Sequence, residues 1–266
     1  MCLLYHGHMS TLTSSIVING PAWPGVRILV STRSGGVSQP PFDSMNLGDH
    51  VGDAALAVEA NRARLDAMLP AAPCWLRQIH GTDVHDADTG EPQHAADAAV
   101  TREPCRVLAI LTADCLPVVI ADQAGRALGV AHAGWRGLAA GVLERTVDAV
   151  RHRAGGQGLL HAWIGPAIGP TAFEVGADVL QAFGGITGPA AQAFAARPGI
   201  AGKWWCNLPK LAEQRMRAAG VSAIEHSGLC TASDVRFYSY RKQGSTGRFA
   251  TLAWLTGEPI VLEGPA

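Results

Sequence analysis

Arg106-Val-Leu-Ala-Ile-Leu-Thr-Ala-Asp-Cys-Leu-Pro-Val-Val-Ile-Ala-Asp-Gln-Ala-Gly-Arg-Ala-Leu-Gly-Val-Ala-His132 is the stretch from which the fold is read. Two apolar runs rich in β-branched residues, 106–112 and 116–121, lie on either side of Ala-Asp-Cys and read as buried strands. Asp122-Gln-Ala-Gly-Arg supplies turn residues. The next strand is 127–132, and a helix follows over 137–153. Strands joined by short turns return antiparallel, whereas strict βαβ alternation would build a parallel sheet. The expectation is therefore an α+β fold with mixed sheets.

Outward from this stretch, 26–32 reads as a strand and Ser34-Gly-Gly-Val-Ser-Gln-Pro-Pro as a loop of turn formers. Asp53 is placed to cap a helix that runs to about residue 69 and stops at Pro70. Residues 74–79 read as a strand ending at His80, and 98–101 as a short strand. Further on, 160–164 is a strand and 176–183 a helix, while the Gly/Ala/Pro-rich segment 184–202 carries no assignment. Asn207 caps a helix with Pro209 in its first turn and Gly220 just past its end. Residues 221–226, 236–240 and 249–255 read as strands. There is no internal repeat and no sharp shift in composition. The expectation is one domain over residues 21–266, preceded by a disordered N-terminal extension over 1–20.

The chain has 266 residues, enough to bury a sizeable core. With 48% hydrophobic and 16% charged residues it reads as globular rather than disordered. A net charge of −1 gives no reason to expect nucleic acid or an anionic membrane as partner. No apolar run approaches the roughly 20 residues that span a bilayer. The six cysteines (Cys2, Cys74, Cys105, Cys115, Cys206, Cys230) include no C-x-x-C pair and suggest no disulfide framework. The N-terminus lacks the pattern of a signal peptide, and Met9 leaves the start site ambiguous. A reduced, cytoplasmic protein is expected.

Three residues could meet around one metal ion: His80 in Gln78-Ile-His-Gly-Thr-Asp83, Cys115, and His132 in Ala131-His-Ala-Gly-Trp-Arg-Gly137. Two imidazoles and a thiolate leave a tetrahedral zinc one ligand short, as in a catalytic site. Seventeen residues separate Cys115 from His132, which suits strand, turn and antiparallel return. Spacing alone leaves the plainer alternative open, a buried thiol that packs and histidines that bond within the core. Asp83 and Asp97 are either orienters of a metal-bound histidine or turn residues. Arg33 enters the Gly35-Gly36 loop, whose amides could approach an anion. Arg136 opens a helix whose N-terminus could face a phosphate. Arg241 and Arg248 flank Gly244-Ser-Thr-Gly247 and read as a solvated basic hairpin tip. The chain lacks H-E-x-x-H, the cytidine-deaminase zinc pattern, G-x-S-x-G and a P-loop. No His-Cys-His run is present to build a multinuclear copper cluster.

Seven strings resemble one family: Ser31-Thr-Arg-Ser-Gly-Gly-Val-Ser38, Pro41-Phe-Asp-Ser-Met-Asn-Leu-Gly48, Gln78-Ile-His-Gly-Thr-Asp-Val84, Ala95-Ala-Asp-Ala-Ala-Val-Thr101, Leu111-Thr-Ala-Asp-Cys-Leu-Pro117, Ala131-His-Ala-Gly-Trp-Arg-Gly137 and Ile164-Gly-Pro-Ala-Ile-Gly-Pro170. With Phe237-Tyr-Ser-Tyr-Arg241 and Thr246-Gly-Arg248, the chain resembles the laccase-domain or multicopper polyphenol oxidoreductase family, now described as purine nucleoside phosphorylases. The resemblance implies a single domain of mixed β-sheets sandwiched and flanked by helices, distantly similar to a toxin-type cysteine hydrolase fold. It implies one zinc held by His80, Cys115 and His132. The implied activities are phosphorolysis of adenosine, inosine, guanosine and methylthioadenosine, and adenosine deamination.

Four functions follow as alternatives. A zinc-dependent nucleoside phosphorylase and deaminase would use His80, Cys115 and His132, with Asp114 as proton shuttle. Arg33, Gly35, Gly36, Asn46 and Arg136 would hold substrate or phosphate. A cysteine hydrolase would use Cys115 as nucleophile with His132 or His80 as base, and the resemblance links it to editing cell-wall precursors. A copper phenol oxidase would fit the older family name, although Cys/His sites also take up copper adventitiously. A metal-stabilised binding module would turn nothing over. The expected partners are a small nucleoside and phosphate, on a monomer or small homo-oligomer.

Overall fold

The computed structural model describes residues 16–89, 95–156 and 158–257. The strands are β1 (Val17–Asn19), β2 (Val26–Ser31), β3 (Val84–Asp86), β4 (Ala98–Thr101), β5 (Leu108–Thr112), β6 (Leu116–Asp122), β7 (Leu128–Ala133), β8 (Leu160–Ile164), β9 (Glu174–Val175), β10 (Phe194–Ala196), β11 (Trp204–Cys206), β12 (Ala223–His226) and β13 (Phe249–Leu255). The α-helices are α1 (Ala55–Asp66), α2 (Trp135–Ala140), α3 (Val142–Arg153), α4 (Ala177–Ala182), α5 (Leu208–Ala218) and α6 (Tyr240–Gln243).

A four-stranded antiparallel sheet runs β1-β2-β13-β5, and a six-stranded mixed sheet runs β12-β8-β6-β7-β4-β3. In the larger sheet β12/β8 and β3/β4 are parallel pairs and the rest are antiparallel. A small third sheet, β10-β11-β9, lies outside them.

The two large sheets pack face to face, which explains why their strands are apolar without alternation. Along β6, Leu116, Val118 and Ile120 point towards α3 and α5, while Val119 and Ala121 point between the sheets. Along β13, Phe249, Ala253 and Leu255 join the inter-sheet core, while Ala250, Leu252 and Trp254 face outward onto Leu65 of α1. Successive strand residues face opposite sides, so a strand buried on both faces needs apolar residues at nearly every position. The order is helix, sheet, sheet, helix: a single α+β domain in which helices flank sandwiched mixed sheets. Each fully buried Val, Leu or Ile here contributes about 1.5–3 kcal/mol of transfer free energy.

Several elements depart from the sequence reading. Residues 74–79 are not a strand: Cys74 makes one parallel bridge to Leu108. Beyond it the Gln78 side chain does the ladder's work, donating to Leu111 O and accepting from Leu111 N, both at 2.8 Å. Residues 236–239 are irregular, and Ser239 caps α6 instead. The helix read over 137–153 is two helices separated at Gly141, whose φ of 99° breaks the first before the second begins. Asp53 caps no helix; its Oδ2 accepts from Ser38 Oγ and Asn46 Nδ2. Asn207 does cap α5, accepting from Lys210 N at 3.0 Å. Residues 17–19, read as extension, form β1 and pair with β2, so the ordered fold starts earlier than position 20; residues 1–15 lie outside the described residues. Cys74, Cys115, Cys206 and Cys230 are free thiols, but Cys105 is disulfide-bonded, which corrects the expectation that none is paired.

A candidate metal centre and its pocket

The β6–β7 register sets Leu116 opposite Ala133 and Pro117 opposite His132. Cys115, one residue before β6, therefore sits beside the end of β7. Asp114, with a φ of 103°, turns the chain sharply between β5 and β6 and presents Cys115 to the cleft. His80 arrives from the irregular segment after Gln78, itself in left-handed conformation with a φ of 60°. One buried carboxylate holds that conformation. Asp97 accepts from Ile79 N at 3.1 Å, His80 N at 2.9 Å and Gly81 N at 2.6 Å. Its Oδ1 also accepts from His132 Nδ1–H at 2.8 Å. Asp97 thus fixes the His80 loop and the His132 tautomer together, leaving His132 Nε2 for the site.

The ligand atoms of His80, Cys115 and His132 all lie within 4.8 Å of one another, and His80 Nε2 is 4.0 Å from Cys115 Sγ. Ordinary zinc–nitrogen and zinc–sulfur bond lengths put tetrahedral ligands about 3.5 Å apart, so seating an ion would draw His80 and Cys115 together by about half an ångström and the widest pair by about an ångström. A Cβ on Gly134 would stand 2.8 Å from His80 Cδ2 and 3.0 Å from Cys115 Sγ, so glycine is needed for the cradle to close. A Cβ on Gly137 would stand 2.9 Å from Gly81 O, so the His80 loop can approach α2 only over a glycine. The residues fit a three-ligand metal site. His80 is exposed, Cys115 half-buried and His132 buried.

The pair at the centre is electrostatically coupled. Burial pushes the Cys115 thiol up, but the charge and N–H of His132, with His80, outweigh it and hold the thiol at about 6. Burial pulls His132 down, but the Cys115 thiolate and Asp97 outweigh it and raise the imidazole to about 9. Near neutrality the metal-free pair is thiolate and imidazolium.

The three residues open on a cavity of about 460 Å³, within the range of small-molecule sites. One end is apolar and aromatic, with Trp135, Phe173 and Leu208, and the other is polar, with His50, Tyr240 and Arg248. Asp114 also lines the cavity, yet both its oxygens are committed: Oδ1 accepts from Thr231 Oγ1 and Oδ2 from Arg241 N, each at 2.6 Å. That geometry makes it a positioning residue for the 241 segment and does not support a proton shuttle.

The sequence-read phosphate group is not assembled here. Arg33 pairs with Asp43 at 3.1 Å, and a Cβ on Gly36 would meet Ser44 O at 2.1 Å. Arg33, Gly35, Gly36, Asn46 and the exposed Arg136 are all absent from the cavity wall. Asn46 instead lies buried behind it, accepting from Arg248 N at 2.8 Å. Asp83 pairs loosely with Arg145 on the surface, so of the two candidate orienters only Asp97 serves. Arg241 and Arg248, read as solvated, stand in the cavity wall. The available signal for them was their flanking of the Gly-Ser-Thr-Gly turn, which local sequence cannot place over a pocket.

The family model described as multi-copper polyphenol oxidoreductase laccase matches residues 27–256. A purine nucleoside phosphorylase of Pseudomonas aeruginosa is 50% identical over 241 residues, covering 88% of this chain and 97% of its own. The purine nucleoside phosphorylase YfiH of Escherichia coli is 46% identical over 243 residues, covering 88% of this chain and 97% of its own. Among solved structures, a Neisseria meningitidis protein superposes with a TM-score of 0.84 at 40% identity, covering 91% of this chain and all of that one. YlmD from Geobacillus stearothermophilus superposes at 0.80 with 30% identity, covering 89% and 94%.

Proposed function

The chain belongs to the multi-copper polyphenol oxidoreductase laccase family, and from that premise we propose that it is a zinc-dependent purine nucleoside phosphorylase that also deaminates adenosine. Its substrates would be adenosine, inosine, guanosine and methylthioadenosine. One observation carries the reading: all three members of the His80–Cys115–His132 group line a nucleoside-sized cavity with an aromatic end. The relatives named as purine nucleoside phosphorylases support the substrate class.

One thiolate and two imidazoles suit zinc, and the same donors would take up copper adventitiously. Among the described residues this is the one such three-donor group, which gives no support to a multinuclear copper centre. A bound zinc would supply Lewis-acid polarisation next to the substrate. The chain's own residues do the rest. Trp135 and Phe173 bring aromatic rings to the cavity wall, each with an arginine (Arg136, Arg241) over one face. Asp97 keeps the proton on His132 Nδ1 and so keeps Nε2 turned to the centre. In phosphorolysis a phosphate oxygen bonds C1′ as the bond to the purine nitrogen breaks, and the electron pair leaves with the purine.

The test is phosphate-dependent release of free purine from adenosine and inosine by metal-quantified protein, beside His80→Ala. Release that needs phosphate and is lost in the variant is expected; release indifferent to phosphate overturns phosphorolysis. For deamination, Cys115→Ala should form no inosine, and full activity in metal-free Cys115→Ala would remove the metal from the reaction.

A second reading has its own support. The depressed Cys115 thiol, raised His132 and buried Asp97 form a nucleophile–base–orienter series, as a cysteine hydrolase acting on cell-wall precursors would need. A substrate-derived mass on Cys115 would favour it. Tight one-to-one zinc would count against it, because a ligated thiolate is a poor nucleophile.

A further inference from the structure

We infer that the oxyanion of the second substrate, phosphate, is held by Arg248 at the polar end of the pocket, where His50 also stands, 3.5 Å from Asp49; this rests on the phosphorolysis reading above. A second cavity of about 310 Å³, lined by His50, Tyr240, Ser245, Thr246 and Arg248 among others, adjoins the main one. His50, Tyr240 and Arg248 line both. None of Trp135, Phe173 and Leu208 lines the second cavity, so Arg248 stands apart from these three apolar side chains, whereas Arg241 lies over Phe173. That division matches a purine at one end and an inorganic anion at the other.

Arg248 is built as an anion receptor. Its backbone N–H is bonded to Asn46, and Asn46 is fully buried and tied to Gly48 and Asp53. A Cβ on Gly48 would lie 2.9 Å from Arg248 Cγ, so the stem is closely packed. Nη1 donates to Thr246 O at 2.9 Å and Gly247 O at 3.0 Å. Nε and Nη2 have no protein acceptor, and no carboxylate pairs with the guanidinium, among the described residues. Asp114 faces it but spends both oxygens on Thr231 and Arg241. A half-buried, immobilised guanidinium without a fixed counter-ion is costly unless a mobile anion completes it, and Nε with Nη2 forms the fork that grips phosphate oxygens. A neighbouring group is also unsatisfied: Thr112, on the pocket wall and paired with Phe249 next to Arg248, has a buried hydroxyl with no partner. Arg241 differs in exposure: it is exposed and lies over Phe173 at 5.1 Å, whereas Arg248 is half-buried and 6.0 Å from the Tyr240 ring.

Steady-state phosphorolysis of inosine with inorganic phosphate as the varied substrate tests this. Arg248→Gln should raise the KM for phosphate about 10- to 100-fold, the range for losing hydrogen bonds to a charged group, with the KM for inosine within about twofold. His50→Ala, at an exposed position, should raise the phosphate KM in the same direction and serves if Arg248→Gln fails to fold. Arg136→Gln should change neither constant. An unchanged phosphate KM in folded Arg248→Gln, or in His50→Ala where the first does not fold, with a phosphate-dependent wild type, overturns this inference and leaves phosphorolysis standing. Wild-type purine release that ignores phosphate overturns both.

Discussion

Asp97 is the residue on which the site depends most. Its buried carboxylate holds three consecutive amides and the His132 ring at once. Asp97→Asn keeps the volume but offers one acceptor oxygen where two worked. We expect zinc affinity to fall about 10- to 100-fold, as for other groups that orient metal-bound histidines, measured by competition with a chromogenic chelator. A second expectation concerns pH. In metal-free protein the Cys115 thiolate should appear with a midpoint near 6, followed by alkylation rate or thiolate absorbance. Asp97 helps to raise His132, and the His132 charge lowers Cys115, so Asp97→Asn should move the midpoint upward. An unmoved midpoint would show that Asp97 is not coupled to Cys115 through His132. Cys115 and His132 were legible in sequence because adjacent antiparallel strands follow from a short turn. The approach of His80 was not, because it rests on one side chain, Asp97, collecting amides from 16 to 18 positions away.

At the scale of elements, the join between β7 and α2 sets the clearance of the centre. Gly134→Ala would place a methyl 2.8 Å from His80 and 3.0 Å from Cys115. It should abolish stoichiometric zinc binding while the melt shifts by only a few degrees, since about 1 kcal/mol moves Tm by roughly 2–4 °C in a chain of this size. Normal zinc content in Gly134→Ala would show that the cradle is looser than drawn. In α3, Leu143 is fully buried against the six-stranded sheet, and Leu143→Ala should cost about 2–5 kcal/mol in denaturant unfolding. The strands flanking Asp114-Cys115 were readable because burial on both faces leaves an unbroken apolar signature. The stretch 74–80 misled because a glutamine side chain imitates backbone pairing. The helix over 137–153 was found, but its break was not, since Gly141 reveals its left-handed φ only in three dimensions.

For the whole molecule, three apolar clusters close without drawing on the metal centre. Stripping the protein with a chelator should therefore leave a cooperative melt and native far-UV circular dichroism. The loss should be only the linkage term, about 4 kcal/mol when free metal is a thousandfold above its Kd. An unfolded metal-free chain would instead favour a metal-stabilised binding module. The mixed α+β class was readable from the run of strands around short turns. The layering was not, because it depends on β13 pairing with β2 across more than 200 positions, as in Leu252 with Leu29.

That central place of β13 has a consequence in time. Residues 249–255 fill the slot between β2 and β5 and carry their backbone bonds on both sides. While the chain is being synthesised, those two strands expose bare edges until residues 249–255 have left the ribosome. The four-stranded sheet can close only after that, through contacts of very long sequence separation, which makes folding slow and its incomplete forms prone to stick. Arg248 lies beside this last strand, so a nascent chain carries Cys115 and His132 well before it has a finished pocket. Binding competence arrives in one step, when β13 takes its place between β2 and β5.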